Sequence, residues 1–188
     1  MAIQVDPTLP VARMSLALWH GMIAAGLLED ARVELIDGMM VDMSPNGPQH
    51  VKAIQALSEL LSAANGSMVM EVRVQMPLTI GESEPQPDLA VVGRGAATAD
   101  SHPATAALVI EVAFSSHRLD RGRKAELYAE AGVPEYWIVD VPGRRIEVLS
   151  GLRDGSYTHT ELHGHEASLA PAALPSATVA VGELLPAS

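Results

Sequence analysis

Hydrophobic and polar positions in the N-terminal part of the chain follow a helical pattern and then a strand-like one. Residues 15–25 predict an amphipathic helix that ends at Gly26. Residues 33–36 and 39–43 alternate as strands do, and the Asp37-Gly38 pair between them is a strong signal for a tight turn. The pattern therefore predicts a helix followed by a β-hairpin.

The next part of the chain predicts a longer helix and a third strand. After a turn at 44–48, apolar residues recur at helical spacing over 49–64, and Asn65-Gly66 ends this helix. Residues 68–76 are strand-like, and 81–86 predict a polar loop.

Two central runs, 89–92 and 107–112, are apolar except for Glu111, and both are apolar enough for strands covered on both faces of a sheet. A helix over 119–131 follows, initiated by Ser115-Ser116 and ended by Gly132. Further strands are predicted at 136–139, 145–149, 157–163 and 178–181. This order of elements indicates the α/β class, with a mixed β-sheet flanked by helices.

Length and composition fit one domain over residues 1–188. Hydrophobic residues make up 48% of the chain but aromatic residues only 3%, which predicts an aliphatic core. The absence of cysteine excludes disulfides, thiolate zinc sites and cysteine nucleophiles. We expect a cytoplasmic protein, because the apolar stretch 16–28 is too short to span a bilayer and lacks a clear signal-peptide cleavage site.

The net charge of −11 argues against tight, nonspecific binding of nucleic acid. Basic residues are nevertheless concentrated at one place, where Arg118, Arg121, Arg123 and Lys124 lie within seven positions. That cluster is compatible with a local DNA-facing surface.

Two acidic residues adjoin strand-like apolar runs. Asp88 directly precedes the run 89–92, and Glu111 directly follows the run 106–110. Burying a carboxylate costs several kcal/mol unless a cation or hydrogen-bond donors meet it. Two of them together favour a hard divalent cation with oxygen ligands, above all Mg2+. The alternative is that both acids are solvated, or cap backbone amides, near turns.

Lys124 lies downstream of the two acids and supplies the positive charge that phosphoryl chemistry needs. The triplet resembles the signature of the PD-(D/E)xK nucleases, and further motifs resemble the Uma-type family of restriction-endonuclease-like proteins. The matching segments are residues 33–38, 43–45, 50, 87–89, 110–112, 120–124 and 127–140. The resemblance implies the restriction-endonuclease-like fold and, more weakly, Mg2+-dependent cleavage of DNA, with Mn2+ as a substitute.

The resemblance also implies a set of site residues. Asp88 and Glu111 would hold the metal ion together with the carbonyl of Val112. Glu34 would be an additional site acid, and His50 would contact a phosphate or a leaving-group oxygen. The residues themselves leave simpler roles open, since Glu34 can be an exposed edge-strand acid and His50 can cap a helix or face solvent.

The lysine departs from the simplest form of the motif, in which it follows the second acid by two residues. Ala113 occupies that position in this chain. Lys124 resembles the migrated lysine of the family and would position or activate the water and stabilise the transition state. The alternative is a helix pair between Lys124 and Asp120, worth roughly 0.3–0.5 kcal/mol.

Other polar patterns predict no site. Asp37 belongs to the hairpin turn, and we expect a solvated edge strand where four polar residues alternate, at His159, Glu161, His163 and His165. Motifs for nucleoside-phosphate loops, dinucleotide binding, helical zinc sites and serine nucleophile elbows are absent from the sequence.

We therefore expect a Mg2+-dependent endonuclease acting on DNA. Two alternatives stay open: a protein of the same fold that binds nucleic acid or a protein partner without cutting, and a metal-dependent hydrolase of smaller phosphoesters. A homodimer is compatible with cleavage of both DNA strands, and no membrane partner is expected.

Overall fold

Helices and strands follow one another in the mixed order that the sequence predicts. In the computed structural model, the strands are β1 (Val33–Ile36), β2 (Met39–Asp42), β3 (Met70–Val74), β4 (Leu89–Gly93), β5 (Leu108–Ala113), β6 (Glu135–Asp140), β7 (Arg145–Arg153), β8 (Ser156–His163), β9 (Ser168–Leu169) and β10 (Val179–Ala180). The helices are α1 (Leu16–Ala24), α2 (Pro48–Ala64), α3 (His117–Leu119), α4 (Ala125–Glu130) and α5 (Val181–Leu184), and a π-helical segment, Asp120–Lys124, joins α3 to α4.

The structure describes most of the chain. The described residues are 12–43, 47–66, 69–98, 101–114 and 117–185, without the side chain of His117. Ser115-Ser116, predicted to initiate a helix, lies outside them. So do residues 44–46 of the predicted turn and residue 68 of the third predicted strand.

A six-stranded sheet in the order β3–β4–β5–β6–β7–β8 organises the fold. Neighbouring strands are antiparallel except β5 and β6, which are parallel. A parallel pair needs a crossover connection, and α3, the π-helical segment and α4 provide it here. The chain is thus a mixed α/β protein with helices flanking the sheet, as the sequence predicts.

Both faces of the sheet are covered, which explains why its central strands β4 and β5 are almost entirely apolar. On one face, Leu57 and Leu61 of α2 belong to the same buried cluster as Ile110. On the other face, Leu127 of α4 belongs to a cluster with Val109. Each large aliphatic side chain buried in this way contributes about 1.5–3 kcal/mol.

β1 and β2 form a separate hairpin beside the main sheet. Asp37 and Gly38 occupy its turn with φ of 50° and 71°, the left-handed conformation that a tight turn of this kind requires at both positions. Leu35 exchanges two backbone hydrogen bonds with Glu84, of 3.4 and 2.7 Å. Since Glu84 lies in the loop that leads to β4, this pairing fixes the hairpin next to the beginning of β4.

The helix predicted over 119–131 is interrupted. Gly122, inside the π-helical segment, has φ −101° and ψ −111°, well outside the helical region. This interruption was not predicted, because a single glycine within a helical pattern is usually tolerated. The interruption matters, because Lys124 ends this segment and α4 follows directly.

Two other predicted elements differ from the structure. α1 is capped by the Ser15 side chain, but it is not amphipathic as predicted: Trp19 is buried while Leu18 and Ile23 are exposed. The last predicted strand, 178–181, is reduced to the short β10, because α5 begins at Val181.

Candidate active site

Asp88 and Glu111 lie side by side where β4 begins and β5 approaches its end. Leu89 pairs with Ile110 in antiparallel register, so the acids that adjoin this pair are cross-strand neighbours. A hydrogen bond of 2.8 Å from the Val112 amide to Asp88 Oδ2 joins the two strands at this point. Both carboxylates are buried, with 7% of Asp88 and 5% of Glu111 exposed.

Asp88 accepts hydrogen bonds on both of its carboxylate oxygens. Oδ2 accepts from the Val112 amide and from His50 Nε2, at 2.8 and 3.2 Å. Oδ1 accepts from Gln75 Nε2 at 3.2 Å. His50 lies in the first turn of α2, and its Nδ1 is buried with no hydrogen-bond partner among the described residues. A ligand or water at this point would meet a histidine nitrogen that the protein leaves available.

Glu111 accepts hydrogen bonds from two residues of the helical crossover connection. Lys124 Nζ donates to Glu111 Oε1 at 3.0 Å, and the Tyr128 hydroxyl donates to the same oxygen at 2.7 Å. Lys124 ends the π-helical segment and Tyr128 lies four residues later in α4, so their side chains point to the same side, toward the sheet. The face that carries them is therefore the face that packs on β5.

Glu34 completes this group from the hairpin. Its Oε1 lies 3.0 Å from Lys124 Nζ, and its Oε2 accepts a 3.1 Å hydrogen bond from the Gln86 amide. Glu34 is 3% exposed, so it is not the exposed edge-strand acid that the sequence left as an alternative. Lys124 thus joins two carboxylates that come from different sheets.

Burial and the neighbouring charges together shift the pKa values of this group. It raises the pKa of Glu111 to about 8, although the nearby charge of Lys124 lowers it. Burial by itself lowers the pKa of Lys124, but Glu111 and Glu34 outweigh it and raise the pKa above the usual value. Burial likewise raises the pKa of Tyr128 well above its usual value. The lysine is therefore a fixed cation, and the tyrosine hydroxyl is a fixed donor.

The donor set fits a hard cation with few protein ligands. Asp88 Oδ2 and Glu111 Oε1 each accept two hydrogen bonds, which uses both lone pairs of each oxygen. Asp88 Oδ1 accepts one, and Glu111 Oε2 accepts none within the described part of the chain. Each carboxylate thus keeps one oxygen available. Since three buried acids meet one lysine here, a cation would also relieve uncompensated negative charge.

A cage built from side chains alone is not present. Over the described ranges, no group of three or more His, Cys, Asp or Glu residues is arranged to hold a metal ion. Two carboxylates, one backbone carbonyl and several waters would suit Mg2+, which keeps part of its hydration shell. The part of the Val112 carbonyl in such a set stays a prediction.

The family comparison decides what kind of protein carries this site. The sequence model of a family described as "Putative restriction endonuclease" (Uma2) matches residues 24–182. The chain belongs to this family. Family membership confirms the resemblance drawn from the ordered motifs, which extends over about residues 15–185.

A solved structure has the same fold as this Uma2 protein. It is the crystal structure of "a putative nuclease belonging to DUF820" from Anabaena variabilis ATCC 29413, with a TM-score of 0.67 and 14% sequence identity. The match covers 81% of this chain and 89% of that one. At this identity the likeness supports the fold alone. No curated protein matches the chain.

Three site residues were not found by sequence reasoning: Gln75, Gln86 and Tyr128. Tyr128 had a usable signal, since it follows Lys124 by one helical turn and would share its face. The two glutamines had none, because loop residues next to a strand carry no periodic pattern. Their contacts come only from the fold.

The basic cluster of this Uma2 protein is engaged with acids. Arg121 donates to Glu147 and lies 3.4 Å from Asp140, and Arg123 donates to Asp37 at 2.7 and 2.9 Å. Lys124 is buried in the site. Three of the four basic residues therefore neutralise this protein's own carboxylates, which weakens the case for a DNA-facing surface at this cluster.

The polar C-terminal strand behaves as predicted. β8 is an edge strand of the main sheet, and His159 and Glu161 on it are exposed. His165 lies beyond the strand.

None of the helices in the described ranges is long and apolar enough to cross a membrane.

Proposed function

We propose that this protein is a metal-dependent endonuclease that hydrolyses DNA phosphodiester bonds, with Mg2+ as its ion and Mn2+ as a substitute. The observation that carries the proposal is the contact of Lys124 Nζ with Glu111 Oε1, 3.0 Å apart, beside Asp88 on the neighbouring strand. A nuclease family supports the reaction class. The donor set supports a cation, since both acids retain an accepting oxygen.

Each residue has a defined part in this proposal. Asp88 Oδ1, Glu111 Oε2 and the Val112 carbonyl would hold the ion. When bound, the ion would lower the pKa of a coordinated water and offset charge on the phosphate. Lys124 acts as a fixed positive charge that orients the water and stabilises the transition state. It does not act as a base, because its pKa is raised.

Glu34 and His50 support these residues. Glu34 Oε1 and Glu111 Oε1 each lie 3.0 Å from Lys124 Nζ, and the two contacts together keep the ammonium in one place. His50 fixes Asp88 through Nε2, and its buried Nδ1 is available to a phosphate oxygen or a water. We also propose a cytoplasmic location, which the absence of cysteine favours.

Cleavage of supercoiled, linear and single-stranded DNA with Mg2+ or Mn2+ tests the proposal. We expect nicking or cutting of at least one substrate, abolished by EDTA and by Asp88→Asn. Glu161→Gln, which removes an exposed acid on β8, is the matched control and should cut normally. Failure of the folded wild-type protein to cut any DNA would contradict the proposal.

A second candidate is a metal-dependent hydrolase of smaller phosphoesters. It is favoured by the engagement of Arg121 and Arg123 with acids and by the net charge of −11, because long DNA needs exposed cations along its backbone. Hydrolysis of bis(p-nitrophenyl) phosphate without any cutting of DNA would select this candidate.

A further inference from the structure

Gln75 has a backbone conformation that its residue type rarely adopts. It directly follows β3 and has φ 48°, in the left-handed region where glycine and asparagine are favoured. Such outliers persist where the surrounding structure holds them, and they concentrate at functional sites. The question is what holds Gln75 here.

The contacts of Gln75 converge on one site acid. Its amide nitrogen donates to the Asp88 carbonyl at 3.0 Å, and its side-chain Nε2 donates to Asp88 Oδ1 at 3.2 Å. Oδ1 is the oxygen of Asp88 that retains a lone pair, since Oδ2 already accepts from two donors. Gln75 therefore contacts the oxygen that a cation would use.

Gln86 extends this contact to the hairpin. Its side-chain Nε2 donates to the Gln75 carbonyl at 2.9 Å, and its backbone amide donates to Glu34 Oε2 at 3.1 Å. The two glutamines thus connect Asp88 on the main sheet with Glu34 on the hairpin. Both are partly exposed, whereas the acids that they contact are buried.

We propose that Gln75 is a positioning residue that sets the rotation of the Asp88 carboxylate, so that Oδ1 faces the cation, and that Gln86 holds Gln75 in its left-handed conformation. This inference rests on the proposed function, because it assigns Asp88 Oδ1 to a metal ion. Removal of an outer hydrogen bond to a metal-ligating group typically weakens metal affinity by about 10–100-fold.

If Gln75 only formed the turn, stability and metal affinity would change together on substitution. A positioning role predicts that they change separately. Glycine and asparagine fit a φ of 48° better than glutamine does, so both should maintain or raise the stability of the metal-free protein. Neither can replace the contact: glycine has no amide side chain, and asparagine is one methylene too short. With a positioning role, both variants therefore lose metal affinity while they keep the stability of the metal-free protein.

The test compares wild type, Gln75→Gly and Gln75→Asn by calorimetric titration with Mn2+ and by denaturant unfolding without metal. We expect unfolding midpoints equal to or above wild type and Mn2+ affinity reduced roughly 10-fold or more. Asp154→Gly is the matched control, since Asp154 has φ 51° in the exposed turn between β7 and β8. It should leave Mn2+ affinity unchanged.

The outcomes are distinct. Wild-type Mn2+ affinity in both Gln75 variants would overturn the inference and leave the proposed metal site intact. Absence of Mn2+ binding by the wild type, or equal binding by Asp88→Asn, would instead overturn the proposed function and this inference with it. Reduced affinity together with a large loss of metal-free stability in both variants would assign Gln75 a structural role, against the inference.

Discussion

Lys124 and Glu111 are joined by an ion pair of 3.0 Å, although one lies on the crossover connection and the other on the strand that precedes it. The pair is buried, and the same ammonium also reaches Glu34 at 3.0 Å. Ala113, at the usual lysine position of the motif, carries no charge. Lys124 supplies the positive charge beside Glu111 instead. This arrangement sets the expectations for substitution of the lysine.

Lys124→Met should abolish cleavage, because a charge that stabilises the transition state is removed. It should also cost about 3–5 kcal/mol of stability, since two buried carboxylates lose their cation. The expected loss is this large because Lys124 is buried. Lys124→Arg should also be inactive, because the wider planar group does not fit the same point.

DNA cleavage and denaturant unfolding measure both effects of Lys124→Met. Lys52→Met, at the only other lysine of the chain and on the exposed side of α2, is the control. Activity in Lys124→Met equal to that of Lys52→Met would remove the lysine from the mechanism.

Stability of the metal-free protein should fall as pH rises from the pKa of Glu111 in the unfolded chain to about 8, and should level off above that value. The pKa of Glu111 is raised to about 8 in the folded state, above the value in an unfolded chain, so folding favours the protonated form. That contribution is complete below the unfolded pKa and is lost as pH rises through the folded one. Glu111→Gln should lack this loss. Unfolding curves from pH 5 to pH 9 check it, and parallel pH profiles for the two proteins would contradict it.

Tyr128→Phe should lower the cleavage rate while leaving the fold intact. The Tyr128 hydroxyl donates to Glu111 Oε1 at 2.7 Å, so its removal frees Glu111 to rotate, and the lost hydrogen bond costs about 0.5–1.5 kcal/mol. Tyr157→Phe removes a hydroxyl that contacts the Val133 carbonyl, away from the site acids, and serves as control. Equal rates for both variants would show that Tyr128 does not orient Glu111.

Asp37→Asn tests the attachment of the hairpin. Arg123 donates two hydrogen bonds to the Asp37 carboxylate, and this contact lowers the pKa of Asp37. Asparagine keeps the left-handed turn but loses the charge, so we expect a small stability loss, up to about 1 kcal/mol. The cleavage activity should fall by a larger factor than this stability loss implies, because the hairpin that Arg123 attaches carries the site residue Glu34 on β1. DNA cleavage by Asp37→Asn equal to that of wild type, at both low and high salt, would show that the contact between Arg123 and Asp37 is only a surface ion pair.

Much of the fold could be predicted because its signals are local. The runs at 89–92 and 107–112 are apolar, apart from Glu111, because both faces of the sheet are covered, and Asp37-Gly38 specifies its own turn. The position of Asp88 beside Glu111 followed from acids adjoining such runs. These features depend on strand period and turn chemistry, which a sequence displays directly.

The rest depends on contacts between distant segments. The π-helical segment, the acids that neutralise Arg121 and Arg123, and the glutamine contacts to Asp88 and Glu34 have no periodic signature. Charge runs in particular do not reveal their partners. The basic cluster suggested a ligand surface, whereas the fold brings carboxylates from the hairpin and from β6 and β7 to meet it.

Anomalous diffraction from crystals grown with Mn2+ shows directly whether Asp88 and Glu111 hold a metal ion. We expect one Mn2+ peak within bonding distance of Asp88 Oδ1 and Glu111 Oε2, and no such peak in crystals of Asp88→Asn. A wild-type crystal with no peak at these two oxygens, with Mn2+ bound elsewhere or not at all, would contradict this expectation.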